Sequence, residues 1–476
     1  VEVIRSLPPS LIEGIRTVFR RLLLTTLLMA PVPAFAQESR YELGQRLQAF
    51  EQTWDRLKPD SMARRRALSG LQSTFRNFFS LRLSEAGRSL DQARWALESA
   101  NEPPFARQWA DSLSIVPESR FLDAESKSLS LRVRAFYAVK GEIPKSTKLR
   151  VTLNDTSKEF DLAKLPTDIS FALPAFTTDT DSRLTFTVVV GNDEYPFSQS
   201  LSRVAKRDER LKVLEAIIEK LPEQPTSLED GSIRHLNDLV KSLRDGTVPE
   251  TNYPAARLLN EAESIAKNAK FYGPERAGQF WLRVPLDNGS IVVRMLIPKK
   301  LAKGKVPLVV ALHGAGGSEN LFFDGYGDGA VVKACEERGW ILIATRSPGF
   351  IGAPPVVQVI DQLAKRFPID TEKVYLIGHS MGASQSISIA TRDPKRFAGV
   401  VALGGGGLVR KSDDLASLPF FIGVGKEDFA LSSSRSLAKS LETSGAKKVV
   451  LKEYADIEHM VIVREAIDDI FAWMKD

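Results

Sequence analysis

Val374-Tyr375-Leu376-Ile377 is a short apolar run that leads directly into Gly378-His379-Ser380-Met381-Gly382. A helical pattern, Ala383-Ser384-Gln385-Ser386-Ile387-Ser388-Ile389-Ala390, follows at once. A strand driven into a sharp turn and out into a helix leaves the middle serine exposed at the strand's end, with small residues on both sides relieving crowding. The Gly-x-Ser-x-Gly spacing alone is weak, because an ordinary Gly-rich turn has the same composition; the strand-then-helix context is what marks Ser380 as a candidate nucleophile. A serine hydroxyl is a poor nucleophile until a base takes its proton. Of the four histidines, only His459, after the run Leu451 to Tyr454, stands late in the chain at the end of an expected strand. An acid must then fix the imidazole tautomer, and Glu427 and Asp428 both follow the run Phe420 to Val424.

The other histidines read more plainly. His379 adjoins Ser380 on the turn, where geometry points it away from the serine and makes it a packing residue. His313 opens the loop His313-Gly314-Ala315-Gly316-Gly317 and is expected to hold it through bonds to nearby backbone. His235 is expected on a helix surface. None has a second histidine or a carboxylate at ligand spacing, so no metal site is expected.

Positioning these groups requires a particular scaffold. Expected strands are 290–297, 307–312, 341–345, 373–377, 399–403, 419–424 and 448–453; helical stretches at 330–337, 356–366, 381–391, 433–443 and 462–473 fall between or after them. Continuous apolar strands separated by helices predict an α/β domain over 271–476, with a mostly parallel, doubly wound sheet. Such sheets carry their sites at the carboxyl ends of the strands, where the glycine-rich loop, serine, acids and histidine all fall, in that order.

The preceding chain changes period three times. From Tyr41 the spacing of Leu43, Leu47, Phe50, Trp54 and Leu57 is helical, and with the stretches near 62–80 and 90–97 it predicts a helical segment over 37–110, its aromatic residues assigned to core. Alternating runs around Leu129–Ala135, Leu149–Leu153, Ile169–Leu173 and Leu184–Val188 predict a small antiparallel β domain, sandwich-like, over 111–202. Helical spacing returns over 203–270 as a connector.

Residues from about 280 resemble an α/β-hydrolase, in particular its extracellular esterase, polyhydroxybutyrate-depolymerase-like and prolyl-oligopeptidase-like branches. The matching pieces are Leu312-His313-Gly314, Ile369-Asp370 before Lys373 to Gly382, and Gly425-Lys426-Glu427-Asp428. The resemblance implies a Ser380–His459–acid triad, and its Gly-x-x-Asp offset selects Asp428 over Glu427, with Phe429 and Leu431 packing the loop down. It also implies oxyanion donors at the backbone N–H of Met381 and Ala315. No cofactor is implied. Ala383 replaces a glycine that many relatives carry, and Ile457-Glu458-His459-Met460 lacks their usual glycine before the histidine. Only about fifteen residues separate the strand at 399–403 from the acid's strand, where relatives insert lids, so an open, shallow cleft is expected. The expected substrate is an ester, carbohydrate- or polymer-linked alcohols included; a peptidase and a non-catalytic binder on the same fold are the alternatives.

Composition bounds these readings. A chain of 476 residues has room for two or three cores at ~150 residues each. With 43% hydrophobic and 26% charged residues it has the balance of a folded soluble protein rather than a disordered one, and no run reaches the ~20 apolar residues of a membrane span. At the N-terminus Arg16, Arg20 and Arg21 precede the apolar run Leu22 to Met29 and an Ala34-Phe35-Ala36 site, which predicts an export signal over 1–36, cleaved after Ala36. More residues precede Arg16 than a compact basic region uses, so the true start is expected downstream of Val1. A secreted or periplasmic protein is expected. The net charge of +6 falls to +4 on losing the four basic and two acidic residues of 1–36, with no Lys/Arg stripe, so nucleic acid is not an expected partner. The single cysteine, Cys335, excludes an intramolecular disulfide. Oligomeric state is left open.

Overall fold

The computed structural model describes residues 34–247, 251–301, 303–347 and 352–474, so the basic and apolar stretch read as an export signal lies outside the described residues up to Ala34. The chain opens with four helices: α1 (Ala34–Leu57), α2 (Ser61–Phe79), α3 (Leu83–Glu98) and the short α4 (Phe105–Asp111). Pro59 stops α1, and Asp60 starts α2 by accepting the Ala63 N–H at 2.8 Å, which satisfies one of the orphan donors of the first turn. Small residues along the seam, Ala63 and Ala67 on α2 and Ala86 and Ala93 on α3, let the two helices lie close together.

The β domain is two facing sheets. Strands β1 (Leu113–Pro117), β3 (Ser128–Ala135) and β6 (Thr167–Ala172) form one, in the order β1-β3-β6. Strands β2 (Phe121–Asp123), β4 (Thr147–Leu153), β5 (Thr156–Asp161), β7 (Thr180–Val190) and β8 (Asp193–Val204) form the other, in the order β2-β8-β7-β4-β5. Alternation puts Ile115, Leu131 and Phe171 of the first sheet against Val151, Phe186 and Val188 of the second in one core. Asn154-Asp155 and Gly191-Asn192 turn the β4–β5 and β7–β8 hairpins, with Asn154 and Gly191 at positive φ as tight hairpins require. Pairing is antiparallel except for β2 on β8, which is parallel.

Helices α5 (Arg207–Ile218), α6 (Leu228–Arg244) and α7 (Ala255–Lys267) follow. They do more than connect: α6 lies directly on β9 (Gly278–Pro285), where Ser232 Oγ accepts the Arg283 N–H at 3.2 Å. His235, expected at a surface, is therefore buried at 3% exposure under this contact, and burial pushes its imidazole down to about 3, so it is neutral.

An eight-stranded sheet runs β16-β15-β14-β13-β11-β12-β10-β9. Its further strands are β10 (Ser290–Ile297), β11 (Val306–Leu312), β12 (Ile341–Thr345), β13 (Ile369–His379), β14 (Gly399–Leu403), β15 (Phe420–Gly425) and β16 (Val449–Tyr454). Every pair from β12 to β16 is parallel, whereas β10 runs antiparallel to both its neighbours. Helices α8 (Ala330–Arg338), α9 (Val356–Ala364), α10 (Met381–Ala390), α11 (Leu431–Thr443) and α12 (Ile462–Trp473) cover it. One of its two apolar faces shares a core with Leu236, Val240 and Leu259 of the preceding helices; the other packs Phe322, Ile470 and Phe471 together with Phe50 and Trp54 of α1. No helix among the described residues is long and apolar enough to cross a membrane.

Candidate active site

Strand β13 ends at His379 and helix α10 begins at Met381, so the whole reversal is made by Ser380. Its backbone sits at φ 56°, ψ −114°, a region that side-chain-bearing residues rarely occupy and that persists only where the surroundings enforce it. The enforcing contacts are backbone ones. A Cβ on Gly382 would fall 1.9 Å from the Leu312 carbonyl oxygen, and one on Gly378 would fall 2.1 Å from that of Gly382, so strand, turn and helix can close only with glycine at both positions. Met381 is the first helical residue, where an N–H has no partner within the helix and is available to a ligand.

His459 stands in the loop between β16 and α12, and Asp428 in the turn after β15. The His459 Nδ1–H points at both carboxylate oxygens of Asp428, at 3.0 and 3.1 Å, and the Ala430 N–H donates to Asp428 Oδ1 at 2.7 Å. Both side chains are buried, whereas Glu427, one residue earlier, is exposed. His459 Nε2, the opposite ring nitrogen, is buried without a hydrogen-bond partner. Ser380 and His459 line the same cavity, together with the loop Gly314 to Gly317. The ring of His459 is flanked by Phe429 at 4.3 Å, His379 at 4.7 Å and Phe75 of α2 at 5.2 Å between centroids.

Two histidines fix the surrounding loops. His313 bonds the Gly314 carbonyl through Nδ1 at 2.8 Å and the Ser347 N–H through Nε2 at 3.0 Å. Because the second partner can only donate, Nε2 is the acceptor and Nδ1 carries the proton. For His379 the logic reverses. Its Nε2 meets the His459 carbonyl at 2.9 Å, which can only accept, so Nε2 holds the hydrogen and Nδ1 accepts from the Tyr326 hydroxyl at 2.6 Å. The Gly314 N–H in turn donates to Tyr326 Oη at 3.4 Å. Burial, with the neighbouring His459, keeps the His379 imidazole well below its ordinary range and hence neutral, as this chain requires. His379 ties the backbone of His459 to the glycine-rich loop.

That loop is anchored behind Ala315 by Asn320, whose side chain accepts from Trp281 Nε1 at 2.9 Å and donates to the Tyr253 hydroxyl at 2.8 Å. Buried Glu319 takes Arg346 on both oxygens, at 2.6 and 2.7 Å; burial would raise its carboxyl, but the guanidinium holds it below its ordinary value. No cluster of metal-ligating side chains is present among the described residues.

The cleft expected to be open and shallow is half open. The β14-to-β15 connection carries no lid, and the first three helices wall one side of the serine, leaving a half-open cavity of about 190 Å³ lined chiefly by apolar side chains. Leu43 and Leu47 of α1, Phe75, Phe78 and Phe79 of α2 and Leu90 of α3 form its walls. Their periodicity reads as core in the sequence, and it is core-like in kind; the only sequence sign of another role is that α2 ends on Phe78-Phe79, with Phe79 left 45% exposed.

Residues 357–469 match the Esterase family model. No curated protein matches the chain. Solved structures similar to it include the substrate-bound fluorophosphonate-binding serine hydrolase F of Staphylococcus aureus, at 13% identity over 42% of this chain and 99% of that one, with a TM-score of 0.36. They also include an S-formylglutathione hydrolase of Staphylococcus aureus, at 14% identity over 42% of this chain and 100% of that one, with a TM-score of 0.36. A ferulic acid esterase is similar at 13% identity over 40% of this chain and 95% of that one, with a TM-score of 0.35.

A mostly parallel eight-stranded sheet with one reversed strand near its edge, covered by helices and carrying a serine on a strained strand-to-helix turn, defines the C-terminal half as an α/β-hydrolase. The family match across α9 to α12, about a quarter of the chain, agrees with an esterase-type hydrolase on this fold. The match is to esterases at large and distinguishes none of the branches named from the motifs.

Proposed function

We propose that the protein hydrolyses carboxylic esters through Ser380 as nucleophile, His459 as general base and acid, and Asp428 as the group that orients His459 and stabilises its cation. Ser380 Oγ attacks the ester carbonyl as His459 Nε2 takes its proton, and the N–H groups of Met381 and Ala315 hold the oxyanion. His459 then returns the proton to the departing alcohol, leaving an acyl-serine, and a water activated by the same nitrogen releases the acid. One observation carries this reading: a buried imidazole with Nδ1 committed to a buried carboxylate and Nε2 left without a partner, lining the same cavity as the serine. Phe429, 63% exposed and 4.3 Å from the His459 ring, offers an apolar surface beside the base for the alcohol part of a carbohydrate- or polymer-linked ester. Residues 1–36 are read as a cleaved export signal, which N-terminal sequencing of the mature protein from the producing cell's envelope or medium tests.

Turnover of p-nitrophenyl acetate by wild type and Ser380→Ala, with fluorophosphonate labelling alongside, tests the mechanism. Loss of both turnover and labelling at an unchanged thermal midpoint is expected. Activity retained in Ser380→Ala overturns the mechanism, and wild-type protein that a fluorophosphonate leaves unlabelled overturns it in favour of a non-catalytic protein on this fold. Matched ester and amide libraries separate an esterase from a peptidase.

A further inference from the structure

The walled side of the cavity belongs to residues more than 200 positions before the serine. Phe78 rests on the glycine-rich loop so closely that a Cβ on Gly316 would lie 2.7 Å from its ring, and Leu43 and Leu90, 8% and 2% exposed, close the space behind it. Beside His459, the exposed aromatics Phe79 and Phe429 meet through Phe75. His459 has to protonate the departing alcohol, so the alcohol leaves on the His459 side, and the acyl group is left to the apolar side over the glycine-rich loop, against Phe78 and Leu47.

Resting on the triad reading above, we infer that the N-terminal helices α1 to α3 are the acyl-binding wall of the esterase and select an uncharged, apolar acyl group of limited size. An apolar cavity of ~150 Å³ accommodates a benzene molecule. At about 190 Å³ this one takes a single aromatic ring or an alkyl chain of about six carbons. The wall is fixed in place. Arg64 of α2 meets Glu465 at 2.8 Å, Arg65 meets Asp456 at 2.6 Å, and Arg464 is bound to Glu51 and Asp55 of α1.

A p-nitrophenyl ester series from acetate to dodecanoate tests this on the full-length protein. Each buried methylene contributes roughly a fourfold gain, so kcat/KM is expected to rise at least tenfold from acetate to hexanoate and to fall again by dodecanoate. Leu47→Trp, which fills the apolar side, is expected to collapse the hexanoate-to-acetate ratio. Phe78→Ala, which enlarges that side, is expected to move the optimum to longer chains, with thermal unfolding showing that both variants are folded. A flat series in wild type, or an optimum that neither folded variant moves, overturns the inference while the Ser380 dependence of acetate turnover stands. Loss of that dependence removes the triad reading instead.

Discussion

Asp428 and Glu427 are adjacent on one turn, and only Asp428 is buried against His459. Loss of a triad acid costs ~10⁴ in turnover with binding largely kept. Asp428→Asn is therefore expected to lower kcat by several orders of magnitude and Glu427→Gln to change it little, at similar thermal midpoints; the reverse ranking in steady-state kinetics would exchange their roles. Glu458, beside them, has a separate consequence. Burial pushes its carboxyl from an ordinary 4.5 up to about 7, while its Oε2 accepts the Met460 N–H at 2.8 Å. A carboxyl raised on folding favours the native state while protonated, and that contribution is lost as pH climbs from about 4.5 to about 7. Glu458→Gln keeps an acceptor and removes the titration. The stability of the variant relative to wild type is expected to rise across that interval by at most about 3 kcal/mol and to level off above it. Urea unfolding at pH 5, 6, 7 and 8 measures this, and a constant difference would contradict it.

At the scale of elements, the helices over the serine are held in part by a buried ion pair between Glu51 and Arg464. Glu51 is fully buried, and burial pushes its carboxyl up despite the attraction of Arg464. Removing one member of such a pair strands the other, which costs ~3–5 kcal/mol, whereas replacing both with apolar residues can cost almost nothing. Arg464→Met is expected to destabilise by that amount and Glu51→Leu/Arg464→Met to recover most of it, as chemical denaturation would show; a single variant as stable as wild type would mean that the helices are held by packing alone. The sequence makes some of this architecture easy to read. The apolar runs of β11 to β15 are continuous because both their faces are covered, and the serine, acid and histidine stand at strand ends, where a parallel sheet leaves room for side chains. The first strand, β9, was not legible, since its Gly278-to-Pro285 run carries Gln279 and Arg283 and gains its identity from pairing with β10. The edge strand β5 is almost wholly polar and equally silent. Phe75, Phe78 and Phe79 could not be told from core because an amphipathic helix presents the same spacing to a hydrophobic core and to an apolar cavity. His235 misled because its burial comes from β9, some 45 residues further along the chain.

Across the whole molecule, neither face of the hydrolase sheet is covered in full by the C-terminal half alone. One of its faces depends on α6 and α7 and the other on α1. A chain limited to residues 271–476 would expose both sets of apolar contacts and lose the cavity wall. It is expected to aggregate or, if recovered, to melt well below the full protein. Differential scanning calorimetry of the fragment decides the matter, and a soluble fragment with the midpoint of the intact chain would show that the halves are energetically independent.

The bond from Arg464 to Glu51 spans 413 residues. On a ribosome adding ~5–20 residues each second, α1 waits roughly 20–80 s for the residue that anchors it. During that interval α1 has its near neighbours in α2 and α3 and Phe136 to pack against, while the hydrolase side of its apolar face waits. Ser380 and His459 are made 84 and 5 residues before Arg464, so a chain stopped before α12 would hold the proposed site residues under a cavity wall not yet moored by Arg464. The same delay gives a holding chaperone a long window in which to keep the chain unfolded.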